Sequence, residues 1–259
     1  MACRGDTGER VDPLCGQRTA SSGSAARRHL PRPGRARVRR HGLSVRLWHW
    51  VNLACLVTLF MSGLNISNAH PRLYWGEWGF ESARAWLTLP RFPGWMTIPG
   101  HYSLSAARDW HLLAAWPFAG GLAFIWLTML LTGHFRSDLM TRRSEWRPSA
   151  IRADIVAHFQ LDFDSADGKL NFLQKLSYGI VLGVLLPGMV ISGLGISPGI
   201  EPLARPLIEL VGGRQSMRSL HFIFAWSLFA FFVVHVTLVL LSSPLTQVRD
   251  MITGGRHAA

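Results

Sequence analysis

Residues 220–241 read LHFIFAWSLFAFFVVHVTLVLL, an apolar run whose ionisable side chains are two histidines, His221 and His235. At 1.5 Å per residue a helix of this length covers about 33 Å, enough for a hydrocarbon core of about 30 Å. A helix that is apolar on every face needs an apolar solvent, and in lipid its backbone satisfies its own hydrogen bonds. The stretch reads as a membrane-spanning helix carrying two imidazoles.

Three more runs of this kind lie upstream, Leu47 to Ile66, Leu112 to Gly133 and Ser177 to Ser197, separated by polar segments rich in Pro and Arg. The fold class is therefore all-α and integral to a membrane: a bundle of four transmembrane helices. Pro117 and Pro187 fall inside two of the runs, which neighbouring helices in a membrane bundle tolerate. The whole chain agrees, with 49% hydrophobic and only 16% charged residues in 259.

A net charge of +12 invites a nucleic-acid reading, but the distribution of the charge argues against one. Of the 27 Lys and Arg, 11 lie in residues 1–46 and the rest flank the apolar runs. If the amino terminus is cytoplasmic, the inner segments hold 20 basic residues and the outer ones 7. Without residues 1–37 the comparison is still 12 to 7, so both termini are expected inside, at the inner membrane of a bacterium.

Residues 1 to about 37, rich in Arg, Ser, Gly and Pro, have no apolar core and form a basic leader expected to be disordered. An over-extended start accounts for it as well as an organellar transit peptide does. The membrane domain is 38–259. Cys3, Cys15 and Cys55 make no disulfide framework, no covalent haem motif and no iron–sulfur ligand set, which leaves histidine as the redox-centre ligand.

Four histidines lie within the spans or at their ends: His49, His111, His221 and His235. Ionisable groups are costly there and need partners. His221 and His235 are 14 residues apart, close to four turns, so one face of the last helix serves two sites about 21 Å apart. Depth pairs His111 with His221 near the outer surface and His49 with His235 near the inner one. Two imidazoles on one iron fill both axial positions of a haem and suit electron transfer without bound substrate. The four histidines are thus the expected metal ligands of two stacked, non-covalent b haems. The rival account is a transporter or proton channel that uses the histidines without haem.

Arg46, Arg108 and Arg218 each precede a histidine of this set by three residues. Each is placed to reach a haem propionate, or simply to extend to lipid headgroups. Ser67 to Asp109 is a long outer segment with Tyr74, Trp75, Trp78, Trp86 and Trp95, fitting an interfacial belt or a docking surface. On the inner side, Ser149 to Phe163 has the spacing of a helix lying on the membrane surface, and Asn52, His134, Asn171 and Lys175 are candidates to bound a quinone pocket. Gly120, Gly121, Gly179, Gly183, Gly188 and Gly193 permit close helix packing or leave room for a flat macrocycle.

From about His41 onward the chain resembles the membrane cytochrome b subunits of the Ni,Fe-hydrogenase, formate dehydrogenase gamma and thiosulfate reductase type. The likeness is carried by residues 41–50 (HGLSVRLWHW), 62–64 (SGL), 68–76 (NAHPRLYWG), 108–111 (RDWH), 133–136 (GHFR) and 212–221 (GGRQSMRSLH), followed by His235. It is closest to the thiosulfate-reductase-like branch. The resemblance implies His49, His111, His221 and His235 as haem ligands. It also implies electron exchange between the quinone pool and a periplasmic redox subunit, often a molybdenum-cofactor enzyme.

Overall fold

The structure, a computed structural model, describes residues 37–39, 43–79, 81–131, 143–159, 172–242, 244–254 and 256–258. Residues 1–36 of the leader, His41, His134 and Asn171 lie outside them. Four helical spans are long and apolar enough to cross a membrane: α1 (Leu43–Ala69), α2 (Leu104–Leu131), the joined pair α4 (Phe172–Ile180) and α5 (Leu186–Ile196), and α7 (Arg214–Ser242).

Each span starts earlier than its apolar run, α2 by eight residues and α7 by six. Hydropathy sees only the part in hydrocarbon, whereas the helix continues through polar first turns holding Ser105, Arg108 and Asp109 in α2, and Gln215, Ser216 and Arg218 in α7. Ser103 ends α2 as an N-cap, its hydroxyl accepting from the Ala106 N–H at 3.4 Å. His111 and His221 consequently do not open their helices; each lies seven residues past the first helical residue, Leu104 or Arg214.

Between α4 and α5, residues Val181–Leu185 form a π turn, and the Leu186 N–H donates to the Val181 carbonyl. Pro187 has no N–H and its ring crowds the Gly183 carbonyl, so one wide turn absorbs a misfit that would otherwise kink the span.

The other helices are short. α3 (Pro148–Phe159) is a helix within the segment anticipated at Ser149 to Phe163, and is tied to α4 by the Leu173 N–H donating to Asp154 Oδ2 at 2.8 Å. α6 (Glu201–Leu210) and α8 (Pro244–Thr253) were not read from the sequence. Two ribbons qualify the all-α expectation: β1 (Arg37–Arg39) pairs antiparallel with β4 (Arg256–Ala258), and β2 (Arg72–Leu73) with β3 (Leu87–Thr88).

α1 packs along α2, and α5 along α7. Cys55, Phe118, Leu122, Val181, Leu186 and Leu228 meet in a core to which every span contributes. Phe60 of α1 stacks on Phe229 of α7 at 4.2 Å and meets Trp226 edge-on at 5.5 Å, joining the two helical hairpins. Outward side chains such as Phe124, Leu130, Leu131, Val234 and Leu240 stay exposed, as lipid-facing groups do. The bundle has a terminal end, where α1 begins and α7 and α8 finish, and a loop end formed by residues 70–103 and α6.

Candidate functional site

At the loop end α2 and α7 bring His111 and His221 together, with ring centroids 6.3 Å apart and planes inclined at 62°. Each ring is held from behind by a serine of the other helix in its hairpin. His111 Nδ1 lies 2.9 Å from Ser62 Oγ of α1, and His221 Nδ1 lies 3.0 Å from Ser192 Oγ of α5. The two serine hydroxyls are already committed: Ser62 donates to the Thr58 carbonyl and Ser192 to the Gly188 carbonyl, both at 2.6 Å.

A hydroxyl has one proton, so both serines can only accept from the imidazoles. Nδ1 is then the protonated nitrogen, and Nε2 keeps its lone pair. Beside each serine a glycine makes room for the ring: a Cβ on Gly63 would stand 3.7 Å from His111 Cε1, and one on Gly193 3.2 Å from His221 Cε1.

Reading along the helices places the second pair. Ser62 and His221 mark the loop-end level. His49 is 13 residues before Ser62 in α1, and His235 is 14 after His221 in α7, so both lie about 20 Å nearer the terminal end. Their described ring neighbours are Trp50, edge-on to His49 at 5.3 Å, and Phe231, stacked on His235 at 6.0 Å. Among the described residues a mutual ring contact is found for His111 and His221 and not for His49 and His235.

The arginines divide. Arg46 donates through Nε to the Met251 carbonyl at 3.2 Å and through its terminal nitrogen to the Ile252 carbonyl, so much of its fork caps α8. Arg218 donates to the Arg72 carbonyl of β2, while its Nε is buried with no hydrogen-bond partner. Arg108 is exposed at the same end. His70, just past the end of α1, is held below the usual histidine range by partial burial and by the nearby charges of Arg218, Arg108 and Arg214.

Segment 70–103 is stitched over this end. Ser219 Oγ donates to the Tyr74 carbonyl at 2.6 Å and accepts from Trp86 Nε1 at 2.9 Å, and Asn65 Nδ2 donates to the Pro99 and His101 carbonyls at 3.1 and 2.9 Å. Of the quinone-pocket candidates, Lys175 is paired with Glu145 at 2.6 Å, and Asn52 Oδ1, one turn from His49, is buried without a hydrogen-bond partner.

A family profile described as prokaryotic cytochrome b561 matches residues 40–254. The chain belongs to this family. It is a multi-pass bacterial membrane protein that binds haem b and carries electrons. A curated relative from Azospira oryzae, named a putative protein-methionine-sulfoxide reductase subunit YedZ1, is 29% identical over 201 residues, covering 76% of this chain and 88% of its own. No solved structure matches.

Three features of the cytochrome's own residues fit a haem at the loop end. Two imidazoles on one metal, each with a metal–nitrogen bond of about 2.0 Å and ~1.1 Å from nitrogen to ring centre, stand about 6 Å apart, as His111 and His221 do. The tautomer is the ligating one. The unmet Nε–H of Arg218, one turn from His221, is a donor suited to a propionate.

Ser62 and Ser192 escaped the sequence reading as site residues, although a signal was present. Residues 62–67, SGLNIS, recur as 192–197, SGLGIS, differing at one position.

Proposed function

We propose that the protein holds two b haems, one between His111 and His221 and one between His49 and His235, and relays electrons between membrane quinone and a periplasmic redox subunit. The observation that carries this reading is the facing His111–His221 pair, 6.3 Å apart, with both Nδ1 atoms anchored on serines. His111 and His221 would hold the haem there, which would supply a one-electron carrier.

The chain's own residues perform the remaining tasks. The serines fix the tautomers, the glycines leave space for the rings, and segment 70–103 screens the upper pair from water. Arg218 and Arg108 neutralise carboxylates at the loop end. At the other end His49 and His235 hold the second haem, and the unpartnered Asn52 Oδ1 offers an acceptor for a quinol hydroxyl. The basic segments support a terminal end on the cytoplasmic side of an inner membrane. The loop end then faces the periplasmic partner. A molybdenum oxidoreductase suits that place, and the relative's name makes a protein-methionine-sulfoxide reductase a candidate partner.

The test is a dithionite-reduced minus oxidised spectrum of the purified protein with a pyridine haemochrome count, repeated on His235→Ala. About two b haems per chain in the wild type, with one lost in the variant, is the expected result. A folded, colourless protein from haem-sufficient cells would sink the proposal in favour of a transporter. Retention of both haems in His235→Ala would remove the lower pairing.

A further inference from the structure

The repeat just described coincides with a symmetry of contacts. The first hairpin, α1 and α2, puts Ser62 and Gly63 behind His111; the second, α5 and α7, puts Ser192 and Gly193 behind His221. Each serine donates to carbonyls one turn back in its own helix, Thr58 and Leu59 for one, Gly188 and Met189 for the other. Each histidine sits seven residues into its helix and follows an arginine by three. Both serines are buried, at 0% and 2% exposure, so water does not compete for the imidazole protons.

The repeat does not extend down the helices: the residue 14 before Gly193 in the second hairpin is Gly179, whereas the residue 14 before Gly63 in the first is His49. Among the described contacts the paired serine anchors stand at the loop-end histidines.

We propose that Ser62 and Ser192 are paired positioning residues that tune the loop-end haem, an inference that rests on the haem reading above. By accepting the Nδ1 protons, the two hydroxyls add electron density to both ligating nitrogens at once. More basic ligands favour the oxidised iron, so these serines hold the upper potential down.

The experiment is a redox titration of the full-length, haem-loaded protein and of Ser62→Ala, Ser192→Ala and the double variant, followed by absorbance and by the ferric electron-paramagnetic-resonance signals. The expected result is an upward shift of one potential in each single variant and a larger shift in the double. A shift approaching tenfold in the reduction equilibrium corresponds to about 59 mV for one electron. The second potential and its ferric signal stay in place. Haem-loaded alanine variants with both potentials unmoved would overturn the proposal. If an alanine variant loses the upper haem, the Ser→Thr variant decides: recovery with the hydroxyl restored supports the positioning role, and equal loss refutes it. A wild type without haem defeats the haem reading itself, and this inference with it.

Discussion

At Gly193 an added Cβ would stand 3.2 Å from His221 Cε1 and 3.6 Å from Nδ1, while at Gly63 it would stand 3.7 Å from His111 Cε1. The first distance forces the imidazole to give way, and the second is ordinary contact. His221 has little room to give, because Ser192 holds its Nδ1. Gly193→Ala is therefore expected to cost ~1–3 kcal/mol as overpacking and to lower occupancy of the loop-end haem. Gly63→Ala should keep wild-type haem content. Haem stoichiometry by pyridine haemochrome compares the two, and equal losses would show that space beside the ring is not what the glycines provide. The same scale explains why the arginines resisted sequence reading. Arg-x-x-His recurs at 46, 108 and 218, yet Arg46 meets α8 and Arg218 meets β2, partners remote in sequence.

Among the elements, α7 depends most on a distant segment. Its first N–H groups have no partner within the helix, and residues 76–77 supply them: Gln215 and Ser216 donate to the Gly76 carbonyl, and Arg214 donates to Glu77 Oε2 at 3.0 Å. The chain comes close enough for this only because Gly213, at φ +117°, has no side chain; a Cβ there would fall 2.7 Å from the backbone N and Cα of Glu77. Glu77→Ala is expected to cost ~0.5–2 kcal/mol, the scale of a lost cap. Gly213→Ala should cost more, since strain and collision add to the lost cap. Thermal unfolding in detergent and hydrogen exchange at residues 214–216 would measure both. A Gly213→Ala protein as stable as the Glu77→Ala protein would show that the close approach is not rigid.

For the whole molecule, β1 pairs with β4 and Arg46 binds the end of α8, so the beginning and end of the membrane domain share one face. On the proposed topology, in which the positive charge of the same segments keeps that face inside, it is cytoplasmic. A fluorescent protein fused after Ala259 should therefore light up in cells, and an alkaline phosphatase fused there should stay inactive. The reverse pattern would invert the bundle and place His49 and His235 on the partner's side. The exposed Trp75, Trp78 and Trp95 belong to the opposite end.

The four spans and their number were legible in the sequence, because apolar length is a property of a single helix. The true helix starts were not: polar turns beyond the hydrocarbon carry no hydropathy signal. The serine anchors were written twice in the chain, as SGLNIS and SGLGIS, but only packing shows that each stands behind a histidine of the neighbouring helix. Hydrogen bonds between helices depend on which faces meet, and those faces are chosen by the joint packing of all four spans. The sequence by itself determined a membrane bundle of four spans carrying histidines; the tertiary structure alone decided which serine stands behind His111 and His221 and what Arg46 and Arg218 hold.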